Sequence, residues 1–226
     1  GIKQRVARAA SNLAKYRGTV GTIGEEGWRS SDIERGKSDA ERRKSAMERI
    51  NGEVERREPV IAETERVSFP KGHLLIRSDV KEKYSYFIIK GYARGFFYKE
   101  DRDVTIWFAS SGMLLLSMNG YMFGSAGYEN IELLEECDLL KISNDALNRL
   151  FDRNIELANW GRRMSDQIIL ELEKLIMERC FISASERYHL LIEQEPEILQ
   201  KVPLRHIASY LGISQVSLSR IRAGIQ

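Results

Sequence analysis

LRHIASYLGISQVSLSRIRAGIQ, residues 204–226, is the stretch from which the rest of the chain can be read. Apolar residues fall at Leu204, Ile207, Leu211, Ile213, Leu218 and Ile221, with the small Ala208 in the first half and Gly212 between the halves. This pattern suits two short helices crossing steeply over a tight turn. Ala208 lets the second helix approach closely, and Gly212 can take the positive φ that other residues resist. Ser214 suits the N-cap of the second helix, where a hydroxyl accepts from a free N–H of the first turn. Ser214, Gln215, Ser217, Ser219, Arg220 and Arg222 then face outward, a polar and basic surface of the kind that enters the major groove of duplex DNA. From residue 198 onward there are four cations (Lys201, Arg205, Arg220 and Arg222) and no Asp or Glu. The competing reading of these residues is a small helical subdomain with an ordinary solvated face.

Composition limits what surrounds this element. A chain of 226 residues suits one large or two modest domains, and 42% hydrophobic residues suffice for a core. The net charge is only +2, so any affinity for nucleic acid must come from a local patch rather than bulk charge. Cys137 and Cys180 form no CxxC, which argues against a zinc site, a cysteine-held iron–sulfur cluster and a disulfide framework. Free thiols in a reducing cytosol are the expected state. No apolar run approaches the roughly 18–20 residues of a membrane span. The first residues are polar and basic without a hydrophobic signal core, so a soluble cytoplasmic protein is expected. His73, His189 and His206 are far apart and make no metal-ligand spacing, so no metal is expected. There is no G-x-S-x-G, P-loop or G-x-G-x-x-G motif, and nothing argues for catalysis.

Along the chain the texture changes three times. Residues 1–58 carry 14 Lys/Arg and 10 Asp/Glu and no Phe, and read as a basic N-terminal arm followed by a helix. Ser38 with Glu41 matches a capping box, and Met47, Ile50 and Val54 then mark one helical stripe. The arm is either a solvated charged tail or a contact for nucleic acid. Residues 59–152 are β-rich. TERVSF, HLLIR, YSYFIIK, YARGFFY, VTIWFA and DLLKIS are short β-branched and aromatic runs separated by turn signals, which suggests a sandwich, barrel or jelly roll.

A long helix then covers residues 153–180. Leu157, Trp160, Met164, Ile168, Leu172 and Leu175 recur at three- and four-residue steps, widened by a second row of Ile169, Leu172 and Ile176. At 1.5 Å per residue such a helix is about 40 Å long. We read its stripe as a parallel seam with a second copy, since a two-fold DNA site calls for an isologous dimer. The alternative packs the whole stripe on the chain's own β domain. Residues 181–226 open with another capping box, Ser183 with Glu186, and are too few for a generous core of their own.

The order of β domain, long helix and C-terminal helix-turn-helix resembles the Crp/Fnr family of bacterial transcription regulators, over residues 67–222. FPKGHLLIR looks like the family's first turn. YSYFIIKGYARGFFY resembles its hairpin, with Lys90, Gly91 and Arg94 in place, and ELLEECDLLKIS looks like the last strand pair. ISASERYHLLIEQEPEILQKVPLRHIASYLGIS is similar to a branch common in Bacteroidetes-type genomes. The resemblance implies an α+β fold: a cyclic-nucleotide-binding-like β-roll (a jelly roll), a dimerisation helix and a C-terminal helix-turn-helix domain of the winged kind. It further implies a homodimer on a near-palindromic operator in double-stranded DNA, with RNA polymerase as a further partner and no membrane. Arg205, Ser214, Gln215, Val216, Ser217, Ser219, Arg220 and Arg222 are the expected DNA contacts.

The chain departs from the family pattern in two places. Cyclic-nucleotide-binding members carry a Gly-Glu pair and an Arg in the stretch matching GMLLLSMNGYMFGSAGYENI, residues 112–131. This stretch has no Lys or Arg, and no acid before Glu129. A buried phosphate without a paired charge is costly to desolvate. A backbone nest at residues 124–127 is weaker than an Arg fork. We therefore expect no cyclic nucleotide and no other cofactor. Met113, Met118, Tyr121 and Phe123 mark either filled core or an apolar site for an unknown small-molecule effector. In the recognition helix, Gln215-Val216 replaces pairs that contain Glu. Val216 can touch only a thymine methyl, whereas Gln215 can pair with adenine. These departures leave a second function open: a small-molecule sensor or protein-interaction module whose helix-turn-helix no longer reads DNA.

Overall fold

The computed structural model describes residues 58–100 and 102–224. The N-terminal arm, the Ser38 capping box and the Met47, Ile50 and Val54 stripe lie outside the described residues. A short helix α1 (Glu58–Ala62) leads into the strands β1 (Glu65–Phe69), β2 (Leu74–Ile76), β3 (Tyr84–Lys90), β4 (Ala93–Lys99), β5 (Arg102–Ala109), β6 (Leu114–Leu115), β7 (Asn130–Leu133) and β8 (Cys137–Ser143). Helix α2 (Met118–Phe123) lies between β6 and β7. All pairings are antiparallel and build two four-stranded sheets, ordered β1-β8-β3-β6 and β2-β7-β4-β5.

The run YSYFIIK is almost continuously apolar because β3 serves two cores. Tyr86 and Ile88 point between the sheets, whereas Phe87 points to the other face. On β8, Cys137 and Leu139 face inward while Leu140 and Ile142 join Phe87. The side-chain period of two thus feeds both layers. Gly91 turns β3 into β4 at φ 124, and a Cβ there would overlap the Cys137 side chain. The turn therefore requires glycine on two counts.

Helices cover the outer face of the first sheet. These are α3 (Asn144–Arg153), capped by Ser143, and α4 (Ile155–Phe181), capped by the Asn154 side chain, which accepts from the Glu156 and Leu157 N–H groups. The 27 residues of α4 are divided in use. Leu157, Trp160 and Met164 are buried with Phe87, Ile142 and Leu147 in the chain's own core. Those three residues therefore cannot serve the seam expected of them. Of the other expected seam residues, Ile168 and Leu172 are exposed and Leu175 is half-buried. The division runs along the helix and not around it: at about 100° per residue Ile168, Leu172 and Leu175 stay within about a quarter turn of Leu157, Trp160 and Met164, but no described side chain of α4 beyond Met164 is buried. Ile169, Ile176 and Cys180 form a second line about 150° from the buried one.

Beyond α4 come α5 (Ala184–Gln194), α6 (Ile198–Lys201), α7 (Leu204–Leu211) and α8 (Gln215–Arg222). The capping box on α5 forms as read: Glu186 N–H donates to Ser183 Oγ at 3.3 Å and Ser183 N–H to Glu186 Oε2 at 2.8 Å. The small C-terminal unit shares its core with the second sheet. Ile207, Leu211 and Leu218 pack in one cluster with Tyr92 and Leu134 of the roll. Among the described residues no strand follows β8, so the wing of a winged domain is not among them.

Candidate nucleic-acid interface

α7 and α8 meet over Gly212, whose φ of 72 closes α7 and whose N–H bonds the carbonyls of Ala208 and Ser209. Ser214 then caps α8, its Oγ accepting from the Ser217 N–H at 3.0 Å. Both features are the ones the sequence called for. Leu218 is buried and Ile221 half-buried, so α8 is pinned by one narrow face. Gln215, Val216, Ser217, Ser219, Arg220 and Arg222 are all exposed. Val216 and Arg220, one turn apart and opposite Leu218, form the outermost ridge of α8. The hydroxyls of Ser214 and Ser217 also bond each other at 2.9 Å, so both belong to the cap as well as to the surface.

Arg205 is exposed on α7, and its Nε donates to Nε2 of His206 at 3.2 Å. His206 itself is 1% exposed and faces the roll. Burial, with Arg94 and Arg205 nearby, pushes its pKa down to about 4, so it is neutral at pH 7. Its Nδ1 lies 3.9 Å from the Asp103 carboxylate. Arg94 is buried beneath, bonding Glu132 at 2.7 Å, Thr105 Oγ1 at 3.1 Å and the Asp103 carboxylate. Burial works against the Asp103 charge, but the hydrogen bond and charge of Arg94 hold its pKa below the usual range.

The C-terminal end of α7 is fastened to α4 and α5. Arg179 Nη2 donates to the Tyr210 carbonyl at 2.7 Å, and Arg187 Nη2 to the Leu211 carbonyl at 3.0 Å. Both are cations at a helix C-terminus, where carbonyls are left without intrahelical partners. Sequence reasoning missed these links, because nothing local in RYHLLIE marks Arg187 as a clamp.

The residues read as either filled core or an apolar site do not share one environment. Met113 packs against the inter-sheet core. Tyr121 packs against the helical core, and its hydroxyl bonds Asn148. Met118 and Phe123 are exposed, Phe123 at 75%. The expectation of a common lining is corrected accordingly. Lys81, from the β2–β3 connection, lies beside Gly124 at the end of α2 and brings a cation to a stretch that has none of its own. Among the described residues no cluster of His, Cys, Asp and Glu could hold a metal ion, and no helix is long and apolar enough to cross a membrane.

No family model matches the sequence, and no curated protein matches it. Solved structures do. The chain is similar to FixK2 from Bradyrhizobium japonicum, with a TM-score of 0.60 and 17% identity over 71% of this chain and 83% of that one. It is similar to CLP, a c-di-GMP responsive global regulator from Xanthomonas campestris, with a TM-score of 0.57 and 19% identity over 74% and 88%. It is also similar to a protein from Eubacterium rectale described as a transcriptional regulator of the crp/fnr family, with a TM-score of 0.61 and 16% identity over 74% and 80%. The fold is thus the cyclic-nucleotide-binding β-roll with appended helices that these solved regulator structures share.

Proposed function

We propose that the chain is a sequence-specific DNA-binding transcription regulator of the Crp/Fnr type. The observation that carries this reading is the α7–α8 pair itself. Its inner side is sealed by Ile207, Leu211 and Leu218, while Gln215, Val216, Ser219 and Arg220 stand free on the outside. In this reading Gln215 and Arg220 read base edges and Val216 meets a thymine methyl. Arg205, Ser214, Ser217 and Arg222 hold phosphates.

The unit of action is a homodimer. Ile169, Leu170, Ile176 and Met177 are exposed apolar residues on the distal half of α4. A helix pair that buries them suits the two-fold symmetry of an operator. The effector is not a cyclic nucleotide in this reading, because residues 112–131 supply no Arg for a phosphate. An effector of other chemistry and a contact with RNA polymerase complete the proposed partners, and the setting is cytoplasmic.

An electrophoretic mobility shift over a salt series tests the reading. Affinity should fall linearly in log–log form, with about one unit of slope for each phosphate held. Affinity for one duplex should exceed that for random DNA by at least about 10³. Equal affinity for all duplexes would instead favour a sensor or interaction module with a silent helix-turn-helix.

A further inference from the structure

β5 is the end strand of its sheet, bonded on one side to β4. A free edge leaves N–H and C=O groups that need partners or water. Two of them meet a side chain of the C-terminal unit. The Thr105 N–H donates to Ser209 Oγ at 3.0 Å, and the Ser209 hydroxyl donates to the Asp103 carbonyl at 3.0 Å. One hydroxyl, acting as donor and acceptor, does for this edge what a neighbouring strand would do. Phe108 of β5 and Tyr210 of α7 pack beside it with ring centroids 5.3 Å apart, and buried His206 lies against Asp103. Arg179 and Arg187 hold the far end of α7. α7 is therefore gripped between the roll edge and the helices leading to it, while the outer ridge of α8 stays uncovered.

We infer that the β5 edge is a latch that fixes the direction of the recognition helix, which makes Ser209 a positioning residue for DNA binding. Docking holds the reading surface without hiding it. A helix already ordered on the roll pays less on binding than one that must be ordered by the DNA. If α7 were loose, apparent affinity would fall by the fraction of molecules in which it is docked. The latch also gives the roll a direct mechanical route to α8, through residues 103–105, in addition to the long helix. The DNA part of this inference rests on the function proposed above, and the docking part does not.

The test uses the full chain with Ser209→Ala and Ser209→Thr. Two quantities are read: hydrogen exchange at the Thr105 amide without DNA, and affinity for a duplex selected by the parent protein. Ser209→Ala should speed Thr105 exchange about tenfold. It should weaken the selected duplex about three- to tenfold. The salt slope and the preferred sequence should stay unchanged, because no phosphate or base contact is removed. Ser209→Thr, which keeps the hydroxyl, should restore both readings. A Thr105 amide that exchanges freely in the parent, or is unmoved by Ser209→Ala, overturns the latch. Faster exchange with equal or higher affinity for DNA overturns its positioning role. A protected Thr105 in a parent that selects no duplex overturns the DNA-binding reading, and the positioning role with it, while the docking contact stands.

Discussion

Phe87 of β3 and Trp160 of α4 meet with ring centroids 5.7 Å apart and planes tilted by 38°, at the junction where the long helix leaves the roll. Trp160 is among the largest fully buried side chains. The contact commits the proximal half of α4 to its own chain and leaves only the distal half for another.

Trp160→Ala should therefore act on folding rather than on association. Removing a buried aromatic side chain of this size costs about 3–5 kcal/mol. Urea unfolding of the variant should show the unfolding free energy lower by that amount, with a correspondingly earlier midpoint. An unchanged midpoint would place Trp160 outside the core.

The distal half of α4 should carry the opposite signature. Ile169→Asp with Ile176→Asp should convert a dimer into a monomer at micromolar concentration in sedimentation. The unfolding free energy of the monomer should change by less than about 0.5 kcal/mol, because both residues are exposed within the chain. A variant that stays dimeric would move the interface elsewhere.

Cys180 offers a check that needs no substitution. It is exposed and shares the helix line of Ile169 and Ile176, whereas Cys137 is buried. In a parallel pair the two copies of Cys180 come close, and mild oxidation should give a disulfide-linked dimer with Cys137 still reduced on peptide mapping. Failure to link while sedimentation shows a dimer would argue for an antiparallel or displaced seam.

Arg220 and Arg222 should separate by kind of contact. Arg220→Ala should relax preference at one base pair, losing about 1–3 kcal/mol of discrimination. Arg222→Ala should weaken all duplexes alike and reduce the salt slope by about one unit. Base-substitution series on a selected duplex distinguish the two patterns.

His206 predicts a pH dependence. Its folded pKa of about 4 lies below the ordinary value of 6.5, so in the window between them the unfolded chain binds a proton that the folded chain does not. The associated stability is fully present above pH 6.5, is lost progressively as the pH falls towards 4, and changes no further below that. The loss is of order 3 kcal/mol. Thermal unfolding from pH 7 to 4 should show this slope, and His206→Gln should flatten it. Persistence of the full slope in the variant would assign it to other groups.

Much of this architecture was legible because its signals are local. Gly212, Ser214 and the Ser183–Glu186 pair act within a turn of their own position, and all three form as read. The runs in β1, β3, β4, β5 and β8 carry enough β-branched and aromatic residues to declare themselves. α2, α6 and β6 are too short to show a period. The division of α4 along its length was hidden because the three- and four-residue steps continue past Met164, the last residue of α4 in the chain's own core. His206 and Ser209 could not be placed from the sequence at all. Their partners, Asp103 and Thr105, lie about a hundred residues away on a strand edge, where pairing is a matter of tertiary docking.

The most direct test of the central claim is selection from random duplex DNA by the purified full chain at near-physiological salt. The selected pool should be enriched in a two-fold-symmetric motif whose half-sites lie about one helical turn, roughly 10 base pairs, apart. An unenriched pool at every salt concentration, or a lone half-site with no symmetry mate, would contradict it.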